Sequence, residues 1–150
     1  MDCVLGNLIT IKDKTPLPTI DEIIDFMANK PFRSKLDLTD GYHNIGIEPE
    51  SVQHSTFLTP RGYFNSQVMQ QGDCNAPTTM MKVMNNMFKN ELGRTIMIYL
   101  DNILIATETY VEHVKTLRRI FNKLKNETFW LNKKKISILS TRLELLGHIL

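Results

Sequence analysis

The stretch IMIYLDNILIATE, residues 96–108, constrains the fold most, because two runs of apolar residues flank the pair Asp101-Asn102. Isoleucine and tyrosine favour strands, and both aspartate and asparagine tolerate turn conformations. The stretch therefore predicts a β-hairpin with Asp101 and Asn102 in its turn. Asp101 has two interpretations: it forms the turn, or it is a functional carboxylate whose burial requires a cation, a hydrogen bond or water.

The remaining pattern predicts further helices and hairpins. Thr19 with Glu22, and Thr109 with Glu112, have the spacing of a capping box at a helix start, and Pro77 is typical of a first helical turn. Hairpins outnumber strand–helix–strand crossovers, so an α+β fold is expected, with helices on one side of an antiparallel sheet. The other predicted elements are strands in SKLDL, NIGIEPE, KKKISIL and RLELLGHIL, and a hairpin in HSTFLTPRGYFNSQVM.

Two of the predicted helices carry apolar stripes at helical spacing, which are expected to face the core. The methionine-rich stripe is interpreted as core packing, with no sign of a cofactor site. The stripes are Met80, Met81, Met84, Met87 and Phe88 in one helix, and Val111, Val114, Leu117, Phe121 and Leu124 in the other.

Length and composition suit a single domain of 150 residues, of which 42% are hydrophobic. No apolar run approaches the roughly 20 residues of a membrane span, and the first residues lack the pattern of a signal peptide. An intracellular, unsecreted protein without a membrane partner is therefore expected. Cys3 and Cys74 lie far apart in the sequence, so neither a disulfide framework nor a zinc site is indicated.

Charge is distributed unevenly along the chain. Residues 1–75 carry ten acids and six bases, a net charge of −4, whereas residues 76–150 carry six acids and twelve bases, a net charge of +6. A basic half can contact a phosphate backbone, but it can equally be a solvated helix face.

Asp37, in KLDLT, is the second carboxylate inside an apolar run, beside Asp101. Each has a structural explanation, since Asp37 can cap the turn that follows it and Asp101 can form a hairpin turn. If the two strand ends are adjacent, the pair can instead bind Mg²⁺, which prefers carboxylate and phosphate oxygens. Paired divalent ions clamp the attacking and leaving oxygens of phosphoryl transfer.

The motifs, taken in order, resemble those of reverse transcriptases from LTR retrotransposons of the gypsy class, nearly from end to end. The variant MQQGDCNAP is most similar to elements of fungal genomes. The motifs that carry the resemblance are TIKDKTPLPTIDEIIDFM, SKLDLTDGYHNIGIEPE, TFLTPRGYFNSQVMQQGDCNAPTTMM, IMIYLDNILIAT as the YxDD motif, FWLNKKKISI, and LELLGHIL as the primer grip.

This resemblance implies a polymerase palm with part of the fingers over residues 1–150, without thumb, connection or RNase H region. It implies an RNA-directed DNA polymerase in which Asp37, Asp101 and Asn102 are the catalytic positions. Asp37 and Asp101 would bind the metal ion, which is Mg²⁺ or, as a substitute for it, Mn²⁺. The implied partners are an RNA or DNA template with its primer, deoxynucleoside triphosphates and the remaining Pol domains of a parent polyprotein.

The resemblance also implies a nucleotide-binding set of four residues. Tyr42 matches the aromatic residue under the incoming sugar, Gln71 and Gly72 match a segment that contacts the nucleotide, and Lys135 matches a lysine near the phosphates. Each has a plainer interpretation: Tyr42 as a half-buried core residue, Gln71-Gly72 as a loop, and Lys133–Lys135 as a solvated run.

Four departures from the family pattern stand out. Asn102 replaces the second aspartate of YxDD, Asp2-Cys3-Val4 lacks the family's arginine, Gly46 stands where many relatives carry a basic residue, and the chain stops after the primer grip. They leave two alternatives open. One is a degenerate, inactive palm that at most binds nucleic acid or protein weakly. The other is an unrelated α+β domain that binds a partner through its basic half.

Overall fold

The computed structural model describes residues 4–145 and 147–149, with side chains from Asn7 onward within those ranges. Cys3 lies outside these ranges, and so do Asp2 and Cys3 of the Asp2-Cys3-Val4 motif. The elements in chain order are α1 (Val4–Ile9), α2 (Ile20–Ala28), β1 (Phe32–Thr39), 3₁₀ helices at Gly41–Asn44 and Pro49–Ser55, β2 (Thr56–Thr59), β3 (Gly62–Asn65), α3 (Ala76–Met87), β4 (Ile96–Tyr99), β5 (Asn102–Thr107), α4 (Tyr110–Asn126), β6 (Trp130–Leu131), β7 (Glu144–Leu145) and β8 (His148–Ile149).

The central sheet has the strand order β4-β5-β1-β6, and each of its pairings is antiparallel. β5 lies between β4 and β1. Every residue from Ile103 to Ala106 is fully buried, because both faces of this central strand are covered. The predicted α+β fold with an antiparallel sheet is thus confirmed. The hairpin predicted around Pro60-Arg61-Gly62 is also confirmed, as β2 and β3.

The two longest helices, α3 and α4, cover one face of the sheet as predicted, but the expectation that the helices share one side does not hold for α2, which packs on the opposite face. Alternate residues of β1 and β5, including Leu36, Leu38 and Ile103, point into this core because successive strand residues face opposite sides. The methionine stripe of α3 is confirmed there, with Met80, Met81, Met84 and Phe88 buried and Met87 partly buried.

The opposite face of the sheet is covered at one end by the short helix α2 and by the segment around β7. Ile23 and Met27 of α2 pack against Leu104 and Ala106 of β5, and Leu145 of β7 joins them. The predicted capping box of α2 is present in both directions, because Thr19 and Glu22 each bind the backbone of the other. The other end of this face carries the carboxylates described below.

The apolar stripe predicted for α4 is only partly correct. Leu117 and Leu124 are buried, but Val111 is 60% exposed and Phe121 36% exposed. Their places in the interior are taken by His113, Thr116 and Ile120, which are buried. The helix is turned this way because the His113 ring hydrogen-bonds to two sheet hydroxyls, a preference that hydrophobic spacing does not contain.

Two predicted strands are wrong. NIGIEPE forms a single bridge, Gly46 with Val68, because a 3₁₀ helix precedes it and Pro49 begins another. KKKISIL also forms one bridge, Lys35 with Ser137, after a tight turn. RLELLGHIL does contain a hairpin, β7–β8, although Leu146 and Leu150 lie outside the described residues.

None of the helices in the described ranges is long and apolar enough to cross a membrane. Cys74 is a free, half-buried thiol, and Cys3 is among the residues without a description.

Candidate active site

The turn between β4 and β5 lies one residue earlier than predicted. Tyr99 pairs with Asn102, so the turn residues are Leu100 and Asp101, and Asn102 belongs to β5. Asn102 is drawn into the strand because it also pairs with Asp37 on the other side. Leu100 adopts a positive φ of 55°, at a turn position that favours glycine. Such a backbone costs about 1–3 kcal/mol, so the surrounding sheet must hold it in place.

The structure brings Asp37 and Asp101 together at one end of the sheet. Asp37 lies directly opposite Asn102 in the β1–β5 register, and Asp101 precedes Asn102. The backbone N–H of Leu38 donates to the carbonyl oxygen of Asp101 at 2.9 Å, which ties the turn to β1. On the other side, the N–H of Asn132 donates to the Asp37 carbonyl at 2.8 Å. Asp37 is therefore held from both neighbouring strands.

Asp37 is buried, with 6% of its surface exposed. Burial raises the pKa of its carboxyl above the usual value, and the negative charge of Asp101 raises it further. Lys135 opposes these effects, with its Nζ 3.8 Å from Asp37 Oδ2, but the pKa stays raised. Lys35 acts in the same direction as Lys135, so burial, more than the balance of charge, keeps the pKa of the Asp37 carboxyl raised.

The donor set at this end fits a divalent cation that prefers oxygen. Asp37 and Asp101 are both carboxylates, and hard ions such as Mg²⁺ take one or two carboxylates together with water and phosphate oxygens. Among the described residues, no group of three or more acidic, histidine or cysteine side chains is arranged for a metal. The carboxylate pair is therefore the set that the described chain offers.

Asn102 faces Asp101 with its nitrogen. Its Nδ2 donates to Asp101 Oδ1 at 3.0 Å, so the amide satisfies one carboxylate oxygen internally. An aspartate at this position would instead add a third negative charge. Compared with an aspartate, Asn102 therefore leaves the site with one negative charge fewer. Its amide also occupies Asp101 Oδ1, an oxygen that could otherwise bind a cation.

Tyr42 lies near this end of the sheet, in the 3₁₀ helix Gly41–Asn44. The ring is half-buried against the core beneath α3, and the pKa of its hydroxyl is raised by burial and by the charge of Asp101. Gly41 lies close to α3, because a Cβ there would lie 2.7 Å from Met80 Cε and the end of that side chain would have to move. The sequence offered no signal for this role of Gly41 beyond its place after Asp40.

Gln71 and Gly72 occupy the loop before α3, and Gly72 has a positive φ of 112°. The loop is tied to the N-terminal segment, since Asn7 Nδ2 donates to the Gly72 carbonyl at 2.9 Å. Of the four predicted nucleotide-binding residues, the structure brings Tyr42 and Lys135 to the carboxylates. Within the described ranges, neither Gln71 nor Gly72 makes a hydrogen bond or ion pair with the two carboxylates.

Comparison with known proteins gives consistent matches. The family model "Reverse transcriptase (RNA-dependent DNA polymerase)" matches residues 2–150. The Retrovirus-related Pol polyprotein from transposon 297 of Drosophila melanogaster is 33% identical over 143 residues, which are 95% of this chain and 14% of that protein. The Transposon Tf2-7 polyprotein of Schizosaccharomyces pombe is 29% identical over 133 residues, 89% of this chain and 10% of that protein.

A solved structure shares the fold. The foamy viral protease-reverse transcriptase in complex with RNA/DNA hybrid superposes with a TM-score of 0.86 at 24% identity, covering 97% of this chain and 20% of that one. At this identity the likeness concerns the fold. The present chain spans about one seventh or less of the length of the polyproteins it matches.

Proposed function

The chain belongs to the reverse transcriptase (RNA-dependent DNA polymerase) family, and from that premise we propose that it performs template-directed transfer of a deoxynucleotide to a primer 3′-hydroxyl. Its fold is that of the reverse transcriptase palm. We place palm and part of the fingers within residues 1–150. The observation that carries the proposal is the proximity of Asp37 and Asp101 at one end of the sheet, where the charge of Asp101 raises the pKa of Asp37.

Asp37 and Asp101 would hold the catalytic metal in this proposal. Paired Mg²⁺ ions, or Mn²⁺ in their place, supply a clamp on the attacking and leaving oxygens of an in-line phosphoryl transfer. The protein contributes position: Asp37 is fixed by strands on both sides, and Asp101 by a turn whose carbonyl is bound to β1. Such preorganised charge stabilises a transition state without rearrangement during the reaction.

The remaining site residues are assigned by their place. Tyr42, half-buried beside Asp101, would lie beneath the sugar of the incoming nucleotide, and Lys135 would contact its phosphates from beside Asp37. Gln71 and Gly72 would contact the nucleotide from the loop before α3. The foamy viral enzyme binds an RNA/DNA hybrid. By analogy, the partners here are an RNA or DNA template with its primer, deoxynucleoside triphosphates and other Pol domains of a parent polyprotein.

We further assign the chain to the gypsy class of LTR elements, on the order and spacing of its motifs. The fungal character of MQQGDCNAP is part of the same proposal. Relatives in both Drosophila and fission yeast are compatible with this class, and the sequence of the flanking polyprotein would test the assignment.

Asn102 is expected to slow the reaction. It supplies no charge, and its Nδ2 already binds the Asp101 oxygen that would otherwise be free for a cation. Removing one stabilising interaction from a transition state commonly costs about 10²–10³ in rate. The alternative of an inactive palm follows if this loss is complete, and it is distinguished by the experiment below.

The experiment is single-nucleotide incorporation into a DNA primer on an RNA template, comparing the chain with its Asn102→Asp variant. We expect the variant to be faster by about 10²–10³ in Mg²⁺. The gap should narrow in Mn²⁺, which binds nitrogen and oxygen ligands more tightly.

Asp37→Asn, introduced into the Asn102→Asp chain, serves as the control and should abolish incorporation. Equal rates with and without Asn102→Asp would show that the second carboxylate is dispensable. Incorporation that persists in Asp37→Asn, or its absence from the Asn102→Asp chain, would contradict the proposed polymerase function.

A further inference from the structure

Trp130, the only tryptophan of the chain, is 71% exposed. It lies in β6 between two residues that face the opposite way: Phe129 is buried in the core beneath α4, and Leu131 packs against the same core. Because strand residues alternate between faces, these two neighbours fix the indole on the outer face of the sheet. Among the described side chains, no aromatic ring or ammonium group stacks on it.

The outer face at this point is the one that carries Asp37. Trp130 pairs with Thr39 of β1, and Thr39 lies two residues beyond Asp37, so the three side chains share a face. Asp37 itself is opposite Asn132, whose N–H it binds. Trp130 is therefore the diagonal neighbour of Asp37 across the β1–β6 pair, a relation that separates two residues by about 7–8 Å.

Three lysines follow β6 in a tight turn. The turn is closed by Lys135 N–H donating to the Asn132 carbonyl at 2.9 Å, and by Lys134 N–H donating to Asn132 Oδ1 at 3.2 Å. Lys135 forms an ion pair with Asp37. Lys133 and Lys134 are exposed, and the ion pairs among the described residues include neither. An exposed aromatic surface and two free positive charges are thus held on one rigid segment.

We infer that Trp130, Lys133 and Lys134 bind single-stranded nucleic acid beside the candidate active site, with one base stacked on the indole and phosphates on the lysines. Aromatic platforms combined with cations are the usual means of binding single strands without regard to sequence. A strand supplies both a base and successive phosphates along its length, which matches an indole followed by two lysines. The inference deepens the proposed function and rests on it, because the proposed function is what brings a nucleic-acid strand to this end of the sheet.

The sole tryptophan provides a direct probe of this contact. A twelve-residue deoxyadenosine oligonucleotide would be titrated in EDTA and low salt while the Trp130 emission is followed, with binding measured independently by anisotropy of a labelled oligonucleotide. We expect saturable quenching that follows the anisotropy curve. Unchanged emission at saturating oligonucleotide would overturn the inference, as would equal quenching by dATP alone at the same base concentration.

Substitutions test the two kinds of contact separately. Trp130→Leu should weaken binding of the labelled oligonucleotide about tenfold, within the range measured for loss of one stacked base, whereas Trp130→Phe should stay within about threefold. Tyr110→Leu, which removes a ring that is 55% exposed on α4 and packs edge-on against Phe32, is the control and should leave oligonucleotide binding unchanged. Replacing Lys133 and Lys134 by alanine should lower the salt slope by about 1.4, at roughly 0.7 per phosphate contact.

Binding by Trp130→Leu that equals the unaltered chain would refute the stacking contact. Because the titrations contain EDTA and no incorporation step, they report on this contact even if the chain proves unable to extend a primer. Conversely, failure of this inference would not decide the incorporation experiment, because that experiment compares variants of Asp37 and Asn102 and leaves Trp130 unaltered.

Discussion

The buried charge of Asp37 lowers the stability of the folded chain at neutral pH, and the sign of this effect follows from the pKa of its carboxyl. Burial and the charge of Asp101 raise the pKa of this carboxyl in the folded chain above the ordinary 3.8. The folded state then binds the proton more tightly than the unfolded state does. The contribution of Asp37 to stability is therefore most favourable below pH 3.8 and is lost as pH rises through the raised pKa.

Asp37→Asn should consequently stabilise the metal-free chain at pH 7, because it removes a buried charge beside Asp101. The expected gain in the free energy of unfolding is about 0.5–2 kcal/mol, measured by urea denaturation in EDTA. Asp25→Asn, an exposed carboxylate on α2, is the control and should have little effect. Added Mg²⁺ should stabilise the original chain and leave the variant unchanged. A variant that is less stable at pH 7 would contradict this account.

Single residues of the site differ in how far the sequence could predict them. Asp37 and Asp101 stood out because each interrupts an apolar run. The orientation of the Asn102 amide could not be predicted, since it depends on where the turn ends. The turn lies one residue earlier than the sequence predicted, because pairing with β1 extends β5 back to Asn102. The partner in β1 is about 65 positions earlier in the chain.

At the scale of elements, α4 is joined to the sheet by a buried polar network. His113 Nε2 lies 2.7 Å from Ser34 Oγ on β1, and its Nδ1 lies 2.9 Å from Thr107 Oγ1 on β5. Ser34 also accepts the N–H of Leu139 at 2.9 Å, which fastens the segment after β6. The ring is fully buried, and burial lowers the pKa of His113 below the ordinary 6.5.

Acidification should therefore loosen α4. With a lowered pKa, His113 stays neutral when folded, whereas the unfolded chain takes up a proton below pH 6.5; its contribution is full above pH 6.5 and is lost as pH falls below that value. The free energy of unfolding should decline between pH 7 and pH 5.

His113→Gln should flatten this decline while lowering stability at pH 7 by about 1–3 kcal/mol, since the buried hydroxyls lose their partner. His54→Gln, at an exposed position, is the control substitution. Urea denaturation at several pH values gives both quantities. An unchanged slope in His113→Gln would assign the pH dependence to another group.

Elements with local signals were the ones that sequence predicted well. The capping box of α2, the hairpin β2–β3 and the methionine stripe of α3 depend on residues a few positions apart. The buried side of α4 and the fate of NIGIEPE and KKKISIL depend on partners elsewhere in the chain. His113 binds hydroxyls from two strands, and the lone bridges at Gly46 and Ser137 end where 3₁₀ helices and turns take over.

For the whole molecule, apolar side chains remain exposed at the end of α1 and just after it. Ile9 is 87% exposed and Ile11 is 91% exposed, and Leu8 beside them is 75% exposed. Tyr63 of the β2–β3 hairpin adds a further exposed ring at 77%. Large apolar side chains exposed in this way promote association with other surfaces.

The chain, purified alone, is therefore expected to dimerise or aggregate, which light scattering coupled to size-exclusion chromatography would show. Replacing Ile9 and Ile11 by lysine should raise the monomer fraction, because the exposed patch then carries charge. Arg118→Lys, an exposed change that keeps the charge on α4, is the control. A monodisperse monomer of the unaltered chain with a sharp thermal transition would contradict the expectation.

The strand order also has a consequence in time. β1 leaves the ribosome first, yet both of its partners, β5 and β6, come later in the chain. Asp37 must await Asn102, 65 residues downstream in the register, and at translation rates of about 5–20 residues per second this delay is roughly 3–13 seconds. Throughout that interval β1 has two unsatisfied edges, and the carboxylate pair does not exist. The candidate active site is thus a late product of synthesis, and a ribosome stalled before β5 would display a strand open to mispairing.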